Sequence, residues 1–160
     1  MSREHKSGPW LPPRWLIRGA WMVHRAIYHI SGGRLGLAKP APGKYGMMRV
    51  TTIGRRSGAE RSAILAYYED GPNLVTLAMN GWGQGEPAWW LNLMRHPEAR
   101  VELKDGSRAV RARAAVGAER ERLWARWREF SKSPDDLDLY AARRSSKTAV
   151  VVLETRSSGV

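Results

Sequence analysis

Short segments in which apolar residues alternate with polar ones, or run together for a few positions, recur along the chain from residue 47. Their richness in β-branched and aromatic residues, and the turn-like sequences between them, are typical of β-strands. The dipeptide Asp105-Gly106 predicts a hairpin. Six strands are therefore predicted, at Met47–Ile53, Ser62–Tyr68, Asn73–Met79, Ala99–Lys104, Ser107–Val116 and Thr148–Leu153.

Helical patterns stand before and between these strands. The segment 14–31 carries Arg14, Arg18, Arg25 and His29 within an arc of roughly 60°, while the rest of its surface is largely apolar. A helix of this kind either packs its apolar face on protein or lies on an anionic bilayer, and the sequence leaves both open. Shorter helices are predicted at Ala88–Arg95, Ala118–Phe130 and Asp135–Ala142.

The order of these elements predicts one domain of the α+β, mainly β class. Six short strands with helices among them are typical of a small barrel with helical decoration. Glycine and proline positions divide the chain into a polar, poorly ordered tail (residues 1–13), an amphipathic helix with a Gly/Pro linker (14–43) and the barrel (44–156).

The composition removes several kinds of chemistry. The 160 residues contain no cysteine and four scattered histidines, so a thiol nucleophile, an iron–sulfur cluster and a metal site are not expected. The formal net charge of +12 attracts polyanions, but no nucleic-acid motif accompanies it, and specific nucleic-acid binding is not expected. No signal peptide is recognisable, which makes the cytoplasm the default location.

A cationic turn follows the first predicted strand. Arg55, Arg56 and Arg61 lie within seven residues, and the glycines at positions 54 and 58 permit a tight turn with converging backbone N–H groups. Such groups bind phosphate or carboxylate. A solvated turn without a ligand is the alternative, and the spacing alone does not exclude it. A P-loop is excluded, because its motif is absent and no helix is predicted to start here.

A second glycine-rich loop, residues 80–85, joins a predicted strand to the helix at 88–95. Three glycines in five residues permit close approach to a flat ligand, although a flexible surface loop is the alternative. Trp89 and Trp90 are about 100° apart on the helix, so one is expected in the core and the other in a cleft. Two anion-binding loops with few titratable side chains indicate that a bound cofactor supplies the chemistry.

These loops belong to a longer pattern. The run VTTIGRRSGAERSAILAYYEDGPNLVTLAMNGWGQGEPAWWLNLMRHPEARVEL, with SGGRLG before it and YAARRSSKTAVVVLE after it, resembles the deazaflavin-dependent nitroreductase family over residues 15–155. The motifs T-T-x-G-R-[RK]-[ST]-G and P-A-W-[WY]-x-N-L carry the resemblance. Because that family consists of relatives of the flavin-mononucleotide (FMN) and pyridoxamine-phosphate oxidases, the resemblance implies a six-stranded split β-barrel of the FMN-binding type.

The resemblance also implies a cofactor, coenzyme F-420, which is an 8-hydroxy-5-deazaflavin with a phosphate and an acidic polyglutamate tail. Matched residue by residue, Arg55, Arg56 and Arg61 would hold the phosphate and the tail. Ser57 and Gly58 would contribute turn geometry and backbone donors. FMN is the alternative cofactor.

The remaining matched positions concern the deazaflavin ring and the substrate. One segment would run along the ring, a second would close its other side, and a tyrosine would border the substrate pocket. The segment along the ring consists of Leu77, Ala78, Met79 and Asn80, and the segment that closes the other side consists of Pro87, Ala88 and Trp89. The tyrosine is Tyr140.

Three positions depart from the family pattern. Asn80 stands where some relatives have Lys, Glu60 where Pro is common, and Ala66 where some have an aromatic residue. Glu60 places a negative charge beside the proposed anion site, and the change at Asn80 removes one phosphate contact.

The resemblance implies an oxidoreductase that transfers a hydride from reduced coenzyme F-420 to a quinone, enone or nitro compound. A non-catalytic coenzyme-binding or storage barrel, or an FMN-binding protein, is the alternative. The expected partners are a small-molecule electron acceptor and a second copy of the chain. Residues 14–31 are the candidate for peripheral contact with the inner face of the plasma membrane.

Overall fold

The computed structural model describes residues 13–20 and 36–157. Residues 14–20 are helical, in agreement with the start of the predicted amphipathic helix. The rest of that helix, almost all of the predicted tail and residues 32–35 of the predicted linker lie outside the described residues. Within the described ranges, no helix is both long and apolar enough to cross a bilayer.

Six antiparallel strands form a closed barrel in the order β1-β2-β3-β6-β5-β4. Closure pairs every strand on both sides, so the described sheet has no free edge. The predicted six-stranded barrel is confirmed. The strands are β1 Gly46–Ile53, β2 Glu60–Asp70, β3 Asn73–Leu77, β4 Glu98–Leu103, β5 Gly106–Ala114 and β6 Val150–Thr155.

Three α-helices are inserted between the described strands, at α1 Ala88–Arg95, α2 Gly117–Arg128 and α3 Asp136–Ala141, and a short 3-10 turn spans Asn80–Trp82. All three lie where the sequence predicts helices: α1 has the predicted ends, and the ends of α2 and α3 differ from the prediction by one or two residues. The β4–β5 hairpin also forms, but its turn is shifted by one position. Leu103 pairs with Gly106, so Lys104 and Asp105 make the turn.

The barrel interior is filled by inward-facing side chains of the strands and closed by α1. Met48 and Val50 of β1 and Val101 of β4 are fully buried there, and Trp90 and Leu93 pack against them from α1. Alternate residues of an extended strand point to one face, which is why every second residue of β1 enters the core. α1 is therefore fixed at one side of the barrel.

A second apolar cluster lies outside the barrel, between the sheet and α2. Leu123 and Trp127 of α2 pack on Val150 and Val152 of β6, whose neighbours Val151 and Leu153 point inward. β6 is thus buried on both faces, and its continuous apolar sequence reflects this.

The predicted linker joins the sheet in its described part. Ala38 pairs with Met47 across an isolated bridge, and Ala41 pairs with Lys44. Gly46 permits the close approach, because a Cβ at that position would lie 2.5 Å from the carbonyl oxygen of Ala38.

Candidate cofactor-binding groove

The turn between β1 and β2 presents arginine side chains at the barrel surface. The N–H of Gly54 donates to the carbonyl oxygen of Ala59 at 2.8 Å, and the N–H of Gly58 donates to that of Gly54 at 2.9 Å. Gly58 has φ +69°, which favours glycine. A Cβ on Gly54 would lie 2.9 Å from Ser57 Oγ. The two glycines therefore permit a compact turn.

Asn92 fixes this turn to α1. Its carboxamide oxygen accepts from the backbone N–H of Arg55 at 3.1 Å, and its Nδ2 donates to Thr52 Oγ1 at 3.1 Å. Asn92 is buried, so these bonds satisfy amide atoms that have little access to water. The sequence analysis did not select Asn92. The signal was present, because a polar residue on the buried side of a short apolar helix needs a partner.

A cavity of about 520 Å³, called here the arginine cavity, lies beside the turn. The side chains of Arg55, Arg56 and Arg61 line it, and no carboxylate pairs with them within the described part of the chain. Glu60 does not line it and pairs with Arg100 at 3.9 Å. The other lining residues are Thr52, Gly54, Ser57, Ser62, Ala63, Ala88, Trp89 and Asn92.

A second cavity of about 310 Å³, the apolar cavity, continues from the first. Ala63 and Trp89 line both cavities, which makes them two halves of one groove. The lining is mostly apolar and comes from β2, β3, the 79–81 loop and the helical segment 14–20. The remaining residues are Arg14, Ile17, Arg18, Ile64, Leu65, Ala66, Thr76, Leu77, Met79, Asn80, Gly81 and Pro87.

The amino end of α1 stands where the two cavities meet. Trp89 lines both of them, whereas Trp90 is 7% exposed and belongs to the barrel core. The predicted division between one core and one cleft tryptophan is therefore confirmed. The first N–H groups of a helix carry a positive partial charge, so this junction favours an anionic group of a ligand.

The loop after β3 has an unusual backbone. Asn80, Gly81 and Trp82 have φ values of 49°, 60° and 60°. A left-handed conformation is costly for a bulky residue such as Trp82 and has to be held by its surroundings. Part of the hold is local, because Asn80 Nδ2 donates to the carbonyl oxygens of Gln84 at 2.8 Å and Gly85 at 3.1 Å.

The groove contains most of the site residues that the sequence predicted. Ten of them line one or both cavities: Arg55, Arg56, Ser57, Arg61, Leu77, Met79, Asn80, Pro87, Ala88 and Trp89. The helical segment 14–20 adds Arg14, Ile17 and Arg18 to the lining, and the sequence analysis did not select these three as site residues.

Three predicted residues lie elsewhere. Gly58 shapes the turn without lining a cavity. Ala78 is fully buried, and its N–H donates to the carbonyl oxygen of Ala149 at 3.0 Å, so it faces away from the groove. Tyr140 stacks on Trp82 with ring centroids 5.8 Å apart and lines neither cavity.

The described groove lining holds no aspartate, glutamate, histidine, lysine or tyrosine. The two tyrosines with clearly shifted pKa values, Tyr67 and Tyr68, are buried in the apolar clusters instead. Burial raises the pKa of Tyr67 to about 12 and also raises the pKa of Tyr68. The groove can bind, orient and desolvate, and its ionic groups are guanidiniums.

The groove of this closed antiparallel barrel joins a cationic cavity to an apolar one, a combination that suits an elongated cofactor with an acidic end. The chain belongs to the F420H2-dependent quinone reductase family, whose model matches residues 21–155. It is therefore an oxidoreductase that uses coenzyme F-420. The family resemblance and the cofactor predicted from the motifs are confirmed.

Individual relatives agree with this assignment. A protein of Mycobacterium tuberculosis, Rv3178, is 35% identical over 92 residues, which are 57% of this chain and 73% of the relative, and is provisionally named an F420H2-dependent quinone reductase. The solved F420-H2 dependent reductase FDR-A is 26% identical with a TM-score of 0.59, covering 68% of this chain and 93% of its own. A structure described as a domain-swapped dimer shares the fold at 22% identity, with a TM-score of 0.61 and coverage of 89% and 100%.

Proposed function

We propose that the chain reduces a quinone, with a hydride supplied by coenzyme F-420 bound along the groove. The main observation in support of this proposal is that the arginine cavity and the apolar cavity meet at Ala63 and Trp89. A ligand with an acidic tail and a flat ring can occupy both halves at once. The volumes of about 520 and 310 Å³ are those of small-molecule sites.

The residues present fit this coenzyme by their chemistry. Arg55, Arg56 and Arg61 offer forked donors that match phosphate and carboxylate oxygens, and Ser57 adds a hydroxyl. Because no carboxylate of the described residues pairs with these guanidiniums, they remain available to the acidic tail of a ligand. Glu60, which departs from the family pattern and places a negative charge nearby, pairs with Arg100 at 3.9 Å.

The apolar cavity suits the ring. Leu77, Met79 and Pro87 line it, and Trp89 offers an aromatic surface next to the arginine cavity. Ala78 and Gly58 support this arrangement from behind the lining, Ala78 through the β3 end and Gly58 through the turn.

When bound, the reduced coenzyme supplies a hydride from C5 of its ring. A quinone that accepts the hydride and one proton becomes a hydroquinone. The protein orients the two partners and keeps water from the apolar lining. Arg14 and Arg18 line the same cavity and can stabilise the negative charge that grows on the quinone oxygen. The proton comes from solvent, because the described lining offers no side chain that titrates near neutral pH.

The helical segment favours an acceptor dissolved in lipid. Arg14 and Arg18 line the apolar cavity, while Trp15 is 72% exposed and Leu16 is 44% exposed. An exposed tryptophan and leucine beside cationic side chains suit a membrane surface. Contact through residues 14–31 would bring the mouth of the groove to the inner face of the plasma membrane, where lipid quinones lie.

A homodimer is the proposed assembly. Met94 is 54% exposed and Ile53 is 36% exposed, on α1 and at the end of β1. Large apolar side chains at a surface favour burial against a partner. Sedimentation velocity of the full chain should give twice the monomer mass, and a monomer at all concentrations would contradict the proposal.

The function is tested under anaerobic conditions with the full chain, the reduced coenzyme and menadione. The visible absorbance of the oxidised coenzyme should return far faster than without protein. A nitroaromatic compound and an enone, offered at equal concentration, measure the preference among acceptors. The quinone assignment would be overturned if the absorbance returned at the protein-free rate with menadione but faster than that rate with the other acceptors.

Calorimetric titration with FMN should give much weaker binding than titration with the coenzyme.

A further inference from the structure

Arg144 is a buried arginine in the turn between α3 and β6. Its side chain is fully enclosed and makes five hydrogen bonds. A buried guanidinium is costly unless its donors are satisfied, so this arrangement has to be specific. The acceptors are the carbonyl oxygens of Gly83 (2.9 Å), Ala78 (2.9 Å) and Gly85 (2.7 Å), Thr148 Oγ1 (2.8 Å) and Glu86 Oε1 (3.4 Å).

Three of these acceptors belong to the backbone of the segment that carries the groove loop. Ala78 precedes the left-handed residues 80–82, and Gly83 and Gly85 follow them. The guanidinium therefore holds both ends of the turn. Lysine has a single ammonium group instead of a planar guanidinium, so it cannot donate to all of these carbonyl oxygens at once.

The same loop also seats the helix that covers the groove. A Cβ on Gly83 would lie 2.7 Å from the guanidinium carbon of Arg14. Gly83 thus lies between Arg144, which donates to its carbonyl oxygen, and Arg14, which lines the apolar cavity. A shift of Gly83 would move the loop and the helical segment together.

Gln84 makes a second, exposed connection between the loop and the same turn. Its Nε2 donates to the carbonyl oxygen of Arg143 at 2.8 Å. Its Oε1 accepts from the N–H of Ser145 at 2.8 Å and from the hydroxyl of Ser145 at 2.7 Å. The turn before β6 therefore contacts the groove loop in two ways, through the buried Arg144 side chain and through the exposed side chain of Gln84.

We propose that Arg144 is a positioning residue of the coenzyme site. It touches neither cavity of the groove, and it acts by holding residues 78–85 so that Asn80 and Gly81 line the ring end and Arg14 closes over it. The inference rests on the proposed function, because it assumes that the coenzyme ring occupies the apolar cavity.

The test compares Arg144→Lys with Arg122→Lys in the full chain. Arg122 also forms a two-pronged contact, with Asp70 at 2.8 and 3.0 Å, but lies outside the groove lining. The dissociation constant of the coenzyme, measured well below the unfolding temperature, should rise about tenfold in Arg144→Lys, because lysine cannot hold all the loop carbonyl oxygens that position the ring end of the groove. It should stay unchanged in Arg122→Lys. Equal dissociation constants for wild type and Arg144→Lys would overturn the inference.

Chemical rescue separates positioning from general destabilisation. Arg144 is one of the residues that line a third cavity, of about 640 Å³, so a small cation can approach the space that Arg144→Ala would leave. Guanidinium chloride at non-denaturing concentration should restore coenzyme binding to Arg144→Ala, whereas sodium chloride at equal ionic strength should not. Identical effects of the two salts would contradict the role of the guanidinium.

Gln84→Ala gives a second measurement that does not disturb a buried charge. Because its hydrogen bonds are exposed, the variant should fold like wild type and bind the coenzyme several-fold more weakly. If Arg144→Lys does not fold and Gln84→Ala binds like wild type, the inference fails. Wild-type protein that binds no coenzyme contradicts the proposed function instead, so the two failures are distinguishable.

Discussion

The carboxamide oxygen of Asn92 accepts a hydrogen bond from the backbone N–H of Arg55 at 3.1 Å, across 37 positions of sequence. The same oxygen lies 3.5 Å from Nη1 of Arg55. One buried amide on α1 thus holds both the turn that carries the arginines and one of the arginines. The position of the cationic end of the groove depends on the helix that closes the barrel.

Replacement of Asn92 by alanine should weaken both stability and coenzyme binding. The N–H of Arg55 and the hydroxyl of Thr52 would lose a buried partner, at a cost of about 1–3 kcal/mol in the free energy of unfolding. Urea denaturation measures that cost, and calorimetry measures the coenzyme. Asn92→Asp keeps the acceptor for Arg55 and should retain more binding than Asn92→Ala. Equal coenzyme affinity in wild type and Asn92→Ala would contradict the role assigned to this amide.

Arg56→Ala should reduce coenzyme affinity without a loss of stability. A charge-assisted contact to phosphate or carboxylate contributes about 1.5–3 kcal/mol when it is partly desolvated. The salt dependence of binding should fall in the same variant, because one cation fewer faces the acidic tail. Arg111→Ala is the matched control, since Arg111 is exposed on β5 and pairs with Glu98. A similar loss in both variants would indicate general attraction by net charge rather than a site.

The adjacent tryptophans of α1 should separate binding from stability. Trp90 is 7% exposed in the barrel core, so Trp90→Ala should lower the free energy of unfolding by about 3–5 kcal/mol. Trp89 lines both cavities, so Trp89→Ala should lose coenzyme affinity with a much smaller effect on unfolding. Thermal unfolding and fluorescence titration of the two variants give the comparison. The reverse pattern would mean that the ring does not lie against Trp89.

The barrel should lose stability at high pH through Tyr67. Burial raises the pKa of this phenol from 10.0 to about 12 in the folded state. Its contribution is therefore complete below pH 10 and is lost as pH rises towards 12, because the unfolded chain releases the proton first. Tyr67→Phe should reduce the pH dependence of urea denaturation in this window, and the part due to Tyr68, whose pKa is also raised by burial, should remain. An identical slope in wild type and variant would show that Tyr67 does not control it.

Local patterns were sufficient to predict the barrel, and they were insufficient for the contacts that complete the site. β1 was predicted at Met47–Ile53 and begins one residue earlier, because alternation and turn residues are encoded within a few positions. Arg144 reaches Gly83 across 61 positions, and nothing in the periodicity of either segment indicates that contact. The misplacement of Ala78 has a different reason, since the ring-lining segment was assigned as a continuous run whereas its backbone turns Ala78 inward.

The motif resemblance supplied what periodicity could not. It joined the arginine turn to the loop at 77–80 and the helix at 87–89, and these segments do line one groove. The resemblance also assigned Tyr140 to the substrate pocket. In the described chain, the ring of Tyr140 instead stacks on Trp82. Trp82, the partner of Tyr140 in this stacking, is one of the residues with positive φ in the loop after β3.

Gly83→Ala should change catalysis without changing the fold. The backbone of Gly83 has φ −90°, which any residue adopts, so alanine causes no backbone strain. Its Cβ would lie 2.7 Å from the guanidinium of Arg14, and that flexible side chain would have to move out of its position in the cavity. The free energy of unfolding should stay within about 0.5 kcal/mol of wild type.

The ratio kcat/KM for menadione should fall in Gly83→Ala as it does in Arg14→Ala, since both changes remove the same charge from the acceptor. The double variant should be no slower than either single one, because the two substitutions act on one side chain. An additive effect would place Gly83 and Arg14 in separate roles and would remove Arg14 from the stabilisation of the quinone oxygen.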